Sequence, residues 1–104
     1  MILLEFSIFP LHKGESVGSY VARAIDIIDR SGLDYRINSM GTVLEGEWDD
    51  VFRVVKRCYT ELRRDCPRLV LSITVDYRRG RQTRLARKVL SLRKRLRRNL
   101  KTDI

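Results

Sequence analysis

The stretch Asp34-Tyr35-Arg36-Ile37-Asn38-Ser39-Met40-Gly41-Thr42-Val43-Leu44-Glu45-Gly46-Glu47 decides how this chain folds. It divides into two short extended runs, Asp34 to Ser39 and Thr42 to Glu47, joined at Met40-Gly41, where glycine permits the backbone to turn. The two runs form a hairpin with a helical pattern on each side. Upstream, from Ser16 to Ser31, Val17, Tyr20, Val21, Ala24, Ile25 and Ile28 recur at spacings of three and four, and Gly32 supplies a stop. Downstream, Asp49 is the predicted N-cap, and Val51, Val54, Val55, Cys58 and Leu62 mark the buried side of a second helix that Pro67 closes. Outside the helices lie two more strands. Ile2 to Phe9 alternates, with Leu4, Phe6 and Ile8 toward a core, and Leu69 to Val75 is the fourth strand. The order strand, helix, strand, strand, helix, strand predicts an α+β fold, a ferredoxin-like βαββαβ sandwich with both helices on one sheet face.

The tail continues the helical signal. From Gln82 to Leu100, Leu85, Val89, Leu92 and Leu96 form a stripe flanked by arginines and lysines, which predicts a third, strongly basic helix. Residues 1–77 are thus read as the ferredoxin-like domain and 78–104 as a basic C-terminal helical extension. The chain has 104 residues and a formal charge of +9, but the charge is uneven. Up to Tyr77 there are 10 basic and 12 acidic residues; beyond it there are 12 basic and one acidic. A nucleic-acid interface, if there is one, therefore belongs to the tail.

Composition excludes several classes. The N-terminal apolar stretch contains Glu5 and lacks a basic n-region, so it does not read as a signal peptide, and no apolar run reaches the roughly 18 residues of a membrane span. A cytoplasmic protein without a membrane partner is expected. Cys58 and Cys66, eight residues apart, would sit about 12 Å apart on one helix, beyond disulfide reach. With one histidine, His12, and no CxxC pair, these residue types assemble no zinc or iron ligand set. No base stands beside a serine or cysteine in sequence, so no enzyme and no cofactor is indicated. Lys13-Gly14-Glu15-Ser16 resembles a phosphate cradle only weakly, because it has one glycine and an acid in the first turn. RNA recognition on the sheet would need exposed aromatics for stacking, and Thr42 to Glu47 offers none.

The face of the sheet away from the helices carries Glu5 and Ser7, and Ser72, Thr74 and Asp76. Such a face must be solvated, covered or filled, and a chain this short buries little surface, so an oligomer is expected. The carboxylates Glu5, Glu45, Glu47 and Asp76, with the hydroxyls of Ser7, Thr42, Ser72 and Thr74, suit either a small heterocycle or a wet interface between subunits.

The runs Glu5-Phe6-Ser7-Ile8-Phe9-Pro10-Leu11, Gly14-Glu15-Ser16-Val17 and Tyr20-Val21-Ala22 resemble the first strand and helix of the small thiamine-binding protein family, long catalogued as uncharacterised. Ser31-Gly32-Leu33-Asp34-Tyr35 and Met40-Gly41-Thr42-Val43-Leu44-Glu45-Gly46 are similar to its helix end and hairpin, Asp76-Tyr77-Arg78-Arg79 to the close of its fourth strand, and Val89-Leu90-Ser91-Leu92 with Lys94-Arg95-Leu96 to its terminal helix. The resemblance implies ferredoxin-like subunits paired into dimers and then a homotetramer. It also implies a non-catalytic site for thiamine or its hydroxymethylpyrimidine part near a subunit interface. Carried over motif by motif, the candidate ligand-binding residues are Ser7, Tyr20, Met40, Thr42 and Glu45. Glu45 would accept from the aminopyrimidine, Ser7 and Thr42 would fix its polar edge, and Met40 and Tyr20 would give apolar contact. The terminal helix is more basic than the family pattern, which keeps a nucleic-acid-binding tail as the alternative.

Overall fold

The computed structural model describes residues 1–11, 17–80, 85 and 87–101, the side chains of 87–89 excepted. Seven elements follow one another: β1 (Ile2–Pro10), α1 (Val17–Arg30), β2 (Asp34–Asn38), β3 (Gly41–Gly46), α2 (Trp48–Arg63), β4 (Leu69–Tyr77) and α3 (Arg87–Leu96). The four strands make one antiparallel sheet in the order β2-β3-β1-β4, and α1 and α2 pack on one of its faces. Placing β1 and β3 in the middle gives the two central strands the most burial. Leu4 and Leu44, paired across them, are fully buried.

The core follows the periodicities of the sequence. Leu4, Phe6 and Ile8 meet Ala24 and Ile28 of α1 and Val51, Val54, Val55, Cys58 and Leu62 of α2. Full burial of an aliphatic side chain contributes about 1.5–3 kcal/mol, so this cluster is the main source of stability. On the outer side, Arg23 of α1 clamps the end of α2. Its guanidinium donates twice to the Asp65 carboxylate, at 3.1 and 2.9 Å, and also to the carbonyl and Oε1 of Glu61, each at 3.0 Å.

Three local features differ from the sequence reading. The N-cap of α2 is Glu47 rather than Asp49, which lies in the first turn, where a carboxylate complements the helix dipole. The hairpin turns at Ser39-Met40, and Gly41 begins β3 without a left-handed φ. Its glycine is required by close approach instead: a Cβ there would lie 2.9 Å from the carbonyl oxygen of Phe6. The turn itself is held by Asn38, whose Oδ1 accepts the N–H groups of Met40 and Gly41 at 3.0 and 2.9 Å.

Beyond β4 two main-chain donors reach back to the body. The N–H of Arg78 donates to the carbonyl of Met1, and that of Leu85 donates to Oε2 of Glu45 on β3 at 3.1 Å. On α3, Leu90, Leu92 and Leu96 are exposed. The radius of gyration, 15.2 Å, exceeds the roughly 13 Å of a compact chain this long. His12 and the Lys13–Ser16 turn lie outside the described residues.

Candidate functional site

Pairing of β1 with β3 ends at Phe6 and Thr42, yet β1 runs on to Pro10 alongside β4. Among the described residues, the far half of β1 therefore has no paired strand on its β3 side. Between this free margin, α1 and the Ser39-Met40 turn lies a cleft of about 420 Å³. Its walls are mostly apolar, from Ile8, Val21, Ile25 and Ile37, and its rim is polar, from Asn38, Ser39 and Thr42. An apolar concavity of this size with a few polar groups at one end is the form a small-molecule site takes.

Strand parity fixes what the cleft presents. In an antiparallel ladder the N–H and C=O of one residue point the same way, and successive residues alternate. Leu11 donates to Arg68, and Met1 accepts from Arg78, so odd-numbered residues of β1 face β4. Even-numbered ones face β3, as the approach of Gly41 to the Phe6 carbonyl also requires. Ile8 is the next in that series. Its N–H and C=O thus point past the end of β3 into the cleft, as an adjacent donor and acceptor. No side-chain pattern could reveal this pair, because it arises where two strands of unequal length part.

The five candidates from the sequence are divided by the fold. Ser7, Met40 and Thr42 line the cleft; Tyr20 and Glu45 do not. Thr42 is buried and, opposite Phe6, belongs to the helix-covered face. Met40 is 86% exposed at the lip. Ser7 contributes through the strand, since alternation turns its hydroxyl to the open face beside Ser72. Tyr20 packs on the core with its ring under the Arg23 guanidinium, 5.7 Å from the ring centroid. Glu45 lies on the open face, opposite Leu3, and is only 3% exposed. The carboxylate and the Thr42 hydroxyl, grouped by chemistry in the sequence, thus face opposite sides of β3.

Among the described residues, the titratable groups with displaced equilibria, Arg23, Tyr35, Cys58 and Glu61, do not line the cleft. Hydrogen bonds from Arg64 and then Arg23 hold the Glu61 carboxyl below its ordinary range. Burial pushes the Cys58 thiol up to about 11, and its Sγ lies 3.5 Å from the Ala24 carbonyl. Both cysteines are free thiols. Among the described residues no group of three or more His, Cys, Asp or Glu side chains is placed to hold a metal, and no helix is long and apolar enough to cross a membrane.

Comparison with known proteins gives this geometry a context. Residues 4–93 match the model of the family described as thiamine-binding protein. The UPF0045 protein MJ1052 of Methanocaldococcus jannaschii is 35% identical over 91 residues, covering 88% of this chain and 91% of that protein. The UPF0045 protein Mb1933 of Mycobacterium bovis is 37% identical over 92 residues, covering 88% and 90%. The crystal structure of MJ1052 superposes with a TM-score of 0.79, over 88% of this chain and 94% of that one. A Thermotoga maritima protein, TM0486, provisionally described as a thiamine biosynthesis/salvage protein, superposes with a TM-score of 0.78 at 26% identity, over 88% and 98%. The match spans both central strands, the hairpin and both packed helices, and on that evidence the chain belongs to the thiamine-binding protein family.

Proposed function

We propose that this protein binds thiamine, or a related aminopyrimidine such as hydroxymethylpyrimidine, without turning it over, and that the ligand sits in the cleft between α1 and the β2–β3 turn. The observation that carries this reading is the Ile8 main-chain pair at the open margin of β1. An aminopyrimidine carries an amino donor next to a ring-nitrogen acceptor, which is the complement of an adjacent C=O and N–H. Thr42 then fixes the polar edge and Met40 closes over the ring, while Ser7 shapes the strand beneath. The family description as thiamine-binding supports the ligand class. Glu45 and Tyr20 act at a distance, Glu45 by tying the tail to β3 and Tyr20 by seating α1.

The subunit in this reading is ferredoxin-like, since β4-β1-β3-β2 is the strand order that the split βαβ arrangement produces. The exposed leucines of α3 and the elongated shape support assembly into a cytoplasmic homotetramer, a dimer of dimers, with α3 seated on a neighbouring subunit. The second reading, nucleic-acid binding by the tail, is favoured by one observation: Lys94, Arg95, Arg97 and Arg98 are all exposed on or beside α3.

Titration calorimetry with thiamine and with hydroxymethylpyrimidine tests the main reading. Wild type binds at least one of them, and Val21→Trp, which fills the cleft from α1, abolishes binding while the far-UV spectrum stays unchanged. Absence of binding to both ligands by wild type defeats the ligand class. Full binding by Val21→Trp defeats the location. Salt-dependent retention of duplex DNA, lost when the chain is cut after Tyr77, would establish the second reading.

A further inference from the structure

The helical layer holds a second concavity, on the side of α1 away from the cleft. Val21, Ala24, Ile25 and Ile28 line the cleft, whereas Arg23, Asp26 and Ile27 lie on the opposite side of the same helix and border a groove of about 560 Å³ against α2. From α2 come Arg53, Lys56, Arg57 and Thr60, at spacings that put them on one face, while Val54, Val55 and Cys58 between them turn into the core. Up to Tyr77 the chain has more acids than bases, so this grouping of cations arises from the fold and not from the composition.

The ion pairs sort these charges. Glu61 is held by Arg64 and Arg23, and Asp26 by Arg30, so both carboxylates of the groove are already engaged. Arg53 reaches Asp50 at 3.2 Å, an exposed pair of the kind that holds weakly and leaves the guanidinium able to turn. Lys56 and Arg57 are exposed and form no ion pair with another described residue. With Arg23, Arg53, Lys56 and Arg57 set against Asp26 and Glu61, the groove carries a net charge of +2. A phosphoryl group carries about −1.5 to −2 at neutral pH. Acids also bound the basic run at both ends, Asp49 and Asp50 in the first turn of α2 and Asp65 just beyond its last. A long polyanion lying along α2 would meet these carboxylates; a compact anion between them does not.

We infer that the groove between α1 and α2 is a site for a small organic phosphate, separate from the cleft and from the ligand proposed for it. Lys56 and Arg57 donate to the phosphoryl oxygens, the arginine as a two-pronged donor and the lysine as a point charge, with the Thr60 hydroxyl as a further donor. Ile27, half-buried in the groove wall, offers the organic part an apolar surface. The volume falls within the roughly 300–1,000 Å³ of small-molecule sites, so a bare phosphate would leave most of the groove to water.

Calorimetry on the full chain at low salt tests the site with phenyl phosphate, inorganic phosphate and a single-stranded oligonucleotide. Wild type is expected to bind phenyl phosphate saturably, one per chain, and more tightly than inorganic phosphate. Lys56→Ala and Arg57→Ala are each expected to weaken that binding by about fivefold, and the double variant by more than either. Thr60→Glu, which keeps both cations but sets a carboxylate beside them, is expected to abolish it. All three positions are exposed, so unfolding midpoints stay near that of wild type. The double variant is expected to keep wild-type affinity for thiamine and hydroxymethylpyrimidine, which separates this site from the cleft. Lys94→Ala combined with Arg95→Ala, on α3, is expected to leave phenyl phosphate binding unchanged. Wild type that shows no saturable binding of phenyl phosphate overturns the inference, as does binding that survives the Lys56 and Arg57 double variant or is lost with the α3 variant. Inorganic phosphate bound as tightly as phenyl phosphate overturns the organic part of the ligand. An oligonucleotide bound more tightly than either, and released by the Lys56 and Arg57 double variant, overturns the small ligand in favour of nucleic acid.

Discussion

The main-chain N–H of Leu85 donates to Oε2 of Glu45 at 3.1 Å, joining the tail to the middle of the sheet across 40 residues of sequence. A hydrogen bond to a charged acceptor contributes about 1.5–3 kcal/mol, and its removal strands a partly buried donor. Glu45→Ala is therefore expected to lower unfolding stability by about that amount and to accelerate hydrogen exchange at Leu85, as read by mass spectrometry. Glu45→Gln, which keeps an acceptor, recovers part of both effects. Ligand affinity stays near wild type in both variants, because Glu45 does not line the cleft.

The approach of Gly41 to Phe6 makes the hairpin intolerant of a methyl group. Gly41→Ala would place its Cβ 2.9 Å from the Phe6 carbonyl oxygen, and backbone on both sides has little room to give. A loss of about 1–3 kcal/mol in chemical denaturation is expected, the usual range for overpacking. Asn38→Ala removes the bonds that hold the turn and costs about 1 kcal/mol. Both changes widen the cleft mouth and weaken calorimetric affinity for the aminopyrimidine.

Acid sensitivity should trace to Glu61. Its carboxyl is held below the ordinary value of 4.5 by Arg64 and then Arg23. A depressed folded value means that its contribution to stability is present above about 4.5 and is lost as pH falls through the lower, folded value. Unfolding midpoints followed from pH 6 down to about 2 are expected to drop less steeply for Glu61→Gln than for wild type. Equal slopes would remove the carboxylate from the account.

The thiols are expected to resist alkylation in the native state. Cys58 is fully buried with its equilibrium raised to about 11, and Cys66, just past the end of α2, is also buried. Thiolate is the reactive form, so iodoacetamide at pH 8 labels neither residue until denaturant is added. Labelling of Cys58 without unfolding would mean that α1 and α2 separate readily.

The parts of the fold that follow from a single element were legible before any coordinates. Val51, Val54, Val55, Cys58 and Leu62 lie on one helical stripe, and all five are buried. Gly41 was legible as a hairpin glycine for the wrong reason, since what it accommodates is the Phe6 carbonyl, a contact between segments 35 residues apart. Thr42 and Glu45 are three residues apart on a strand, so a period of two sends them to opposite faces, and grouping them by chemistry overlooked that parity. The Ile8 donor and acceptor belong to no side chain; they emerge only when the registers of β1 with β3 and with β4 are both known. Asn38 at the turn carried a usable signal, because asparagine before a two-residue turn is a familiar way to cap it.

Because Thr42 and Glu45 project from opposite sides of one strand, selection can act on them separately. A lineage can retune what enters the cleft through the helix-side residues of β3 and the turn, while the open side keeps its hold on the tail. Substitutions on the two sides that share no partner should combine additively, within a few tenths of a kcal/mol. The helix side of the strand can thus change without loosening its hold on the tail, and the open side can change without altering the cleft.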